Sequence, residues 1–257
     1  MRMRIAETTT VDAKEAFEDV EVAVFPIGST EQHGPALPLC TDTSIGSLIA
    51  SGVADRPDAV VLPTIPISIS PHHRHFHGTA WVSAETFEQY LREIIANYTV
   101  HGIEKAVIVN AHGGNVAAIS RVGQRLYREE TAFVMPWSWW EGVDPETVEA
   151  FDPALELPGH AAGVEASMMF LTQRELLRED RFEAAAAGTG PGSRFDHPDF
   201  RGYDFADWTA NGIHGDPTRA SVEIGEALYE DAVETLNGII DWLAAMPPEE
   251  CRPRSHK

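Results

Sequence analysis

Twice in this chain an unbroken apolar run ends in a turn built from histidine and glycine. Lys105 to Asn110 (KAVIVN) leads into Ala111-His112-Gly113-Gly114-Asn115, and Glu21 to Ile27 (EVAVFPI) leads into Gly28-Ser29-Thr30-Glu31-Gln32-His33-Gly34-Pro35. Apolar residues at successive strand positions mark a strand buried on both faces, as in a parallel sheet covered by helices on each side. The intervening segments agree with that reading. Ser44–Val53 reads as a helix and Ala59–Leu62 as a second short strand. Ser83 can cap a helix over Ala84–Val100, with Glu85 in its first turn, Phe87, Leu91, Ile94, Ile95 and Tyr98 on one face, and Gly102 as a stop. A helix near Asn115–Glu129, a strand near Ala132–Met135 and a long amphipathic helix over Ser221–Ala245 follow. Strands alternating with helices imply an α/β fold with a mostly parallel central sheet. Trp137–Pro158 and Ala184–Pro217 read as long loops of the kind that carry function.

Composition narrows the functional classes. A chain of 257 residues, 43% hydrophobic, is long enough to bury a substantial core. It has no apolar run of about 18 residues that could span a bilayer, and its first twenty residues lack the apolar centre of a secretory signal. Cys40 and Cys251 are too few for a disulfide framework and fit two free thiols in a reducing cytoplasm. The net charge of -21, from 19 basic and 40 acidic residues, repels nucleic acid and anionic membranes, so neither is expected as a partner. Only three of the basic residues are lysine, and the acids are dispersed rather than gathered in a tail. Such a surface suits concentrated salt, where repulsion is screened, and points to a halophilic source.

Three constellations carry chemistry. The first, after Ile27, offers Glu31, His33 and Asp42 within twelve residues, held by glycines and prolines. A divalent cation would satisfy such a set; the alternative is a polar loop capping the next helix, with Asp42 as N-cap. The second places His112 at the carboxyl end of a strand, beside glycines that permit close backbone approach. A phosphate loop is the rival there, but the GxGxxG spacing is absent. The third, Gly159-His160-Ala161-Ala162-Gly163-Val164-Glu165, puts His160 at the start of a helix and Glu165 just over a turn later. A lone histidine there is ordinarily structural, and its weight comes from the other two. Together Glu31, His33, Asp42, His112 and Glu165 form a mixed carboxylate/imidazole set suited to Zn, Mn or Fe(II). Five ligands exceed the need of one catalytic zinc, so two ions with a bridging carboxylate are expected.

These motifs resemble the creatininase (creatinine amidohydrolase) family. The likeness rests on P-I-G-S-T-E-Q-H-G-P…L-P-L-x-T-D at 26–42, N-A-H-G-G-N at 110–115, H-A-A-G-V-E-A-S at 160–167 and G-I-H-G-D-P-T-R-A-S at 212–221, with a weaker match in H-H-R-H-F-H-G-T at 72–79. The resemblance implies a single three-layer α/β/α domain over residues 1–257, assembly as a homo-oligomer such as a hexamer, and hydrolysis of small amides with two divalent ions. It implies Glu31, His33, Asp42 and His112 as metal ligands, Asp42 as the bridge, and His160 as the proton shuttle acting with Glu31. Creatinine-cleaving members carry a further glutamate ligand where this chain has Gly114, and Glu165 is its expected replacement. Ser70, His73, Gly113 and Trp137 are expected to touch substrate. Trp139 and Trp140 are further candidates for a pocket wall, with core packing as the alternative. His72, His73, His75 and His77 are read as a pocket rim, a third metal site or a solvated loop. Gly163 and Ala166 depart from the family pattern and leave the substrate open. A formamidopyrimidine nucleotide is the favoured guess, with Arg74 and Arg219 the best placed to hold its phosphate. Creatinine, a peptide end, and a scaffold that binds metal without catalysis are the alternatives.

Overall fold

The computed structural model describes residues 4–155, 157, 159–188, 195, 202–207 and 209–255. Six consecutive buried residues make β1 (Val22–Ile27) a central strand, and six more make β3 (Lys105–Asn110) its neighbour. β2 (Ala59–Val61) lies outside β1 and β4 (Phe133–Ser138) outside β3, giving the order β2-β1-β3-β4 with every pairing parallel. The register sets Ile27, Asn110 and Ser138 in one row at the carboxyl ends of three strands. The chain passes from β1 to β2 on one side and returns to β3 on the other. The β1/β3 junction is therefore the switch point at which open α/β sheets hold ligands. Both histidine-bearing turns begin there.

Alternate residues of each strand feed two apolar layers. Val22, Val24, Val107 and Val109 pack with α2 (Thr41–Ser51), α6 (Gly163–Phe170) and α8 (Val222–Ala245). Ala23, Phe25, Ala106 and Ile108 pack with α3 (Ala84–Thr99) and α4 (Val116–Arg128). α3 starts where Ser83 Oγ accepts the Thr86 N–H, and its buried stripe is Phe87, Leu91 and Ile95. The chain turns away after it at Gly102, where φ is +86°. Ser221 caps α8 through the Ile224 N–H. The three-layer α/β/α reading thus holds, and among the described residues no helix is long and apolar enough to cross a membrane.

Several expectations need correction. β4 does not stop at Met135 but runs through Pro136 and Trp137 to Ser138; an edge strand tolerates a proline that a central one resists. Pro26 of β1 survives in a central strand because β2 pairs only as far as Val24. The supposed loop at Trp137–Pro158 contains a capped helix, α5 (Pro145–Phe151), whose Asp144-Pro145-Glu146 start is a proper helix signal. Ala184–Pro217 begins inside α7 (Phe182–Ala187), and 189–194 and 196–201 lie outside the described residues. α1 (Thr10–Ala16), with a capping box between Thr9 and Asp12, was not expected at all. The cap of α2 is Cys40 rather than Asp42, which falls in the first helical turn.

Candidate metal centre

The two motif turns are stitched together by asparagine. Asn110 Nδ2 donates to the His112 carbonyl at 2.9 Å and its Oδ1 accepts the His112 N–H at 3.2 Å, fixing the turn after β3. Asn115 Nδ2 donates to Gly28 O and to Asn110 Oδ1, and its Oδ1 accepts the Ile69 N–H. α2 approaches so closely that a Cβ on Gly28 would stand 2.4 Å from the Thr43 nitrogen. This close approach brings Asp42, on the first turn of α2, over the strand ends.

Glu31, His33, Asp42 and His112 are all buried there, and Glu165 reaches them from the first turn of α6. His33 Nε2 lies 3.0 Å from Asp42 Oδ1 and 3.6 Å from Glu165 Oε2. His112 Nδ1 lies 3.1 Å from Glu31 Oε1 and 3.2 Å from Asp42 Oδ2. Despite these approaches, Glu31 Oε2, His33 Nε2 and Asp42 Oδ2 make no hydrogen bond. Atoms that converge without bonding one another are what a shared cation would satisfy. Among the described residues four groups of three have their ligating atoms within 4.8 Å of one another: Glu31–Asp42–His112, His33–Asp42–Glu165, Glu31–His33–His160 and Glu31–His72–His73; the first two each hold a pair of carboxylates and share Asp42.

The far side of each ring is already committed. His33 Nδ1 donates to Glu31 O at 3.2 Å, and His112 Nε2 donates to Ile69 O at 3.0 Å. In the neutral ring each bond would place the proton away from the acids and leave a lone pair facing them, as a metal-ligating histidine requires. Burial alone would keep these rings neutral, but the facing carboxylates outweigh it: His112 is pushed up to about 10 and His33 well above its ordinary value. Burial pushes Glu31 up, yet His112, His73 and His160 bring it well below the usual carboxylate range. Without a cation, ring protons therefore balance the acids. The residues fit divalent ions, which would displace those protons.

His160 and His73 stand beside the ligands. His160 precedes α6, and its main chain pairs with that of His214, at 2.9 Å and 2.8 Å, tying the 212–221 motif to the site. The next residue, Ala161, holds a φ of +55°, rare without glycine, and its N–H meets Glu165 Oε2 at 2.5 Å. His160 Nδ1 is 3.8 Å and His73 Nε2 3.4 Å from Glu31 Oε1. Burial pushes the pKa of both rings down, that of His73 to about 3, with neighbouring histidines adding to it.

A cavity of about 170 Å³ opens onto these groups. His72, His73 and Gly113 line it, as do Trp139, Trp140 and Phe205. Two expected substrate contacts do not. Trp137 is the last but one residue of β4 and is buried in the apolar layer, so its indole packs rather than faces the cavity. Ser70 lies behind His112, with its Oγ 3.3 Å from His112 Nε2 and 2.5 Å from Ser29 Oγ. The histidine-rich stretch divides: His75 is exposed and pairs with Asp204, and His77 is exposed. Phe205, whose ring is 4.2 Å from that of His73 and 4.8 Å from that of His160, lay in a segment without periodicity and gave no sequence signal.

The family model for creatininase, described as creatinine amidohydrolase, matches residues 6–240. The chain belongs to the creatininase family. It is accordingly an amidohydrolase-type enzyme, a hydrolase of carbon–nitrogen bonds. The creatininase fold is matched by a solved creatininase at a TM-score of 0.81 and 25% identity, covering 98% of this chain and 99% of that one. Other solved creatininases, also 25% identical, include a Zn-Zn type and a Mn form. A mycofactocin precursor peptide peptidase of Mycolicibacterium smegmatis is 31% identical over 93% of this chain and 91% of its own length. A 2-amino-5-formylamino-6-ribosylaminopyrimidin-4(3H)-one 5'-monophosphate deformylase of Methanococcus voltae is 36% identical over 40% of each chain. Within the creatininase frame the turn at Gly114 is closed to side chains. A Cβ there would meet His112 Nε2 and Ile69 O at 2.4 Å and His72 Cε1 at 2.8 Å.

Proposed function

We propose that this chain hydrolyses the amide of a small, uncharged, planar substrate, a non-peptide C–N bond, using two divalent ions. Glu31, Asp42 and His112 would hold one ion and His33, Asp42 and Glu165 the other. When bound, such a pair supplies an acidified water and a Lewis acid for the carbonyl oxygen. His160, neutral and next to Glu31, takes the proton of the attacking water and returns it to the departing nitrogen. Trp139, Trp140 and Phe205 offer aromatic surface to a flat substrate. The observation that carries this reading is the pair of largely buried His/acid sets sharing Asp42.

The cavity has no arginine or lysine among its described lining residues. Arg74 is engaged by Asp204 at 2.8 Å, and Arg219 by Asp152 and Asp216. Among the described residues a nucleotide phosphate would find no free arginine or lysine there, which sets the formamidopyrimidine nucleotide behind an uncharged amide. A second reading, trimming of a short peptide, draws support from the nearly full-length likeness to the peptide peptidase. Chelation, metal counting on reloading, and a panel of cyclic amides including creatinine, formamides and short peptides separate these readings. Two ions per chain with turnover of an uncharged amide is the expected result. Bound metal with no turnover across the panel would leave a metal-binding scaffold.

A further inference from the structure

Gln32 lies between Glu31 and His33, is 4% exposed, and touches both histidines that flank the ligands. Its amide is oriented without ambiguity, because Oε1 accepts the Gly34 N–H at 3.0 Å. Nε2 then has two protons and three neighbours: His73 Nδ1 at 2.8 Å, Gly212 O at 2.9 Å and His160 Nε2 at 2.9 Å. His160 Nε2 also lies 2.9 Å from the main-chain carbonyl of Gln32 itself.

A proton count resolves the cluster. If His160 Nε2 carries a proton and gives it to Gln32 O, the two amide protons go to His73 Nδ1 and Gly212 O. Three donors then serve three buried acceptors. If His160 Nε2 were instead bare, two protons would face four acceptors, leaving two unpaired in a site where each costs about 1–3 kcal/mol. The first arrangement wins. Gly212 helps to hold it: its φ is +84°, and any Cβ there would collide with the Gln32 amide.

We infer that Gln32 is a positioning residue that makes one neighbouring histidine a donor and the other an acceptor toward the same point. Its side chain keeps His73 Nδ1 bare, so the His73 proton sits on Nε2 and faces Glu31 Oε1. Its main chain keeps the His160 proton on Nε2, so bare Nδ1 faces the same oxygen. Both rings hold the same tautomer but present opposite faces, with centroids 4.6 Å apart. In the proposed hydrolysis, on which this use rests, His160 Nδ1 takes a proton from water as the carbon–oxygen bond forms. That proton goes to the amine nitrogen as the carbon–nitrogen bond breaks. His73 Nε2–H donates to the carbonyl oxygen as it gains charge.

The test reads proton positions directly, by nitrogen spectra of ¹⁵N-histidine-labelled, zinc-loaded protein. His73→Gln and His160→Gln variants identify the two rings. Wild type should show Nε2–H on both. Gln32→Glu offers only acceptors, so the His73 proton should appear at Nδ1 while His160, held by the main chain, is unchanged. Gln32→Met, which removes both donors at similar length, should give mixed His73 tautomers. Either variant should keep its zinc and KM and lose about 10–100-fold in kcat on whichever amide is turned over. An Nδ1 proton on His73 in wild type, an unmoved His73 proton in Gln32→Glu, or parallel loss of zinc would overturn the inference. The expected tautomers in a protein with no turnover would support the positioning and count against the hydrolase proposal alone.

Discussion

On the α3/α4 side the sheet meets its helices through Phe87, Leu91, Ile95, Ile119, Val122 and Leu126, all buried and all apolar. On the α2/α6/α8 side the packing is just as dense lower down, through Ile45, Ile49, Met168 and Leu236. At the rim of that second layer, however, the first turns of α2 and α6 turn Asp42 and Glu165 inward across His33. Helix N-termini favour carboxylates, which lowers the cost of burying them. The difference teaches that one layer contributes stability and the other spends part of its own to hold unsatisfied ligand atoms.

Substitutions should separate these roles. Asp42→Asn removes the carboxylate common to both ligand sets; metal content should fall toward zero and turnover by more than ~100-fold, with far-UV CD retained. One tightly held ion in that variant would mean the sets are independent. Phe87→Ala on the opposite layer should cost about 3–5 kcal/mol in denaturant unfolding and leave metal stoichiometry untouched. Gly225→Ala tests the seam between α6 and α8 within the site-bearing layer, since a Cβ there would meet Ser167 O at 2.3 Å. A loss of about 1–3 kcal/mol is expected, together with weaker binding of the ion held by Glu165; stability loss with unchanged metal affinity would detach α6 from the site. Metal affinity should rise with pH around neutrality, because ions displace protons from His33 and His112. Calorimetry in buffers of different ionisation heat should show ~10-fold per pH unit for each proton released. Ser83→Ala, far from the site, should cost about 1 kcal/mol through the lost cap of α3 and nothing else.

The apolar layer was the more legible in the sequence, because periodicity and capping are local. β3 lies where KAVIVN places it, and α3 differs from its expected span by one residue. The candidate ligands at 31, 33, 42, 112 and 165 could also be read, since acids and histidines clustered in strand-end turns and the helix starts after them have few structural uses. Their convergence could not, because it depends on how closely α2 seats against Gly28. Trp137 fell outside the cavity because the way a strand side chain faces follows from register, and β4 ran three residues beyond its expected end. Ser70, at the start of the short turn Pro71–His73, packs against Ser29 and His112 instead. Gln32 was read only as part of a motif, since its role appears once the protons of two distant histidines are counted.

The crowding around Gly114 bears on how such enzymes diverge. A carboxylate placed at that turn would crowd the His112 ring and the Ile69 carbonyl unless the backbone shifts. A lineage moving between the two ligand arrangements would have to widen this corner first. On the proposed ligand assignment the acid on α6 is therefore less an interchangeable spare than an entrenched choice, and an engineer grafting creatinine cleavage here would need to adjust residues 69–72 as well.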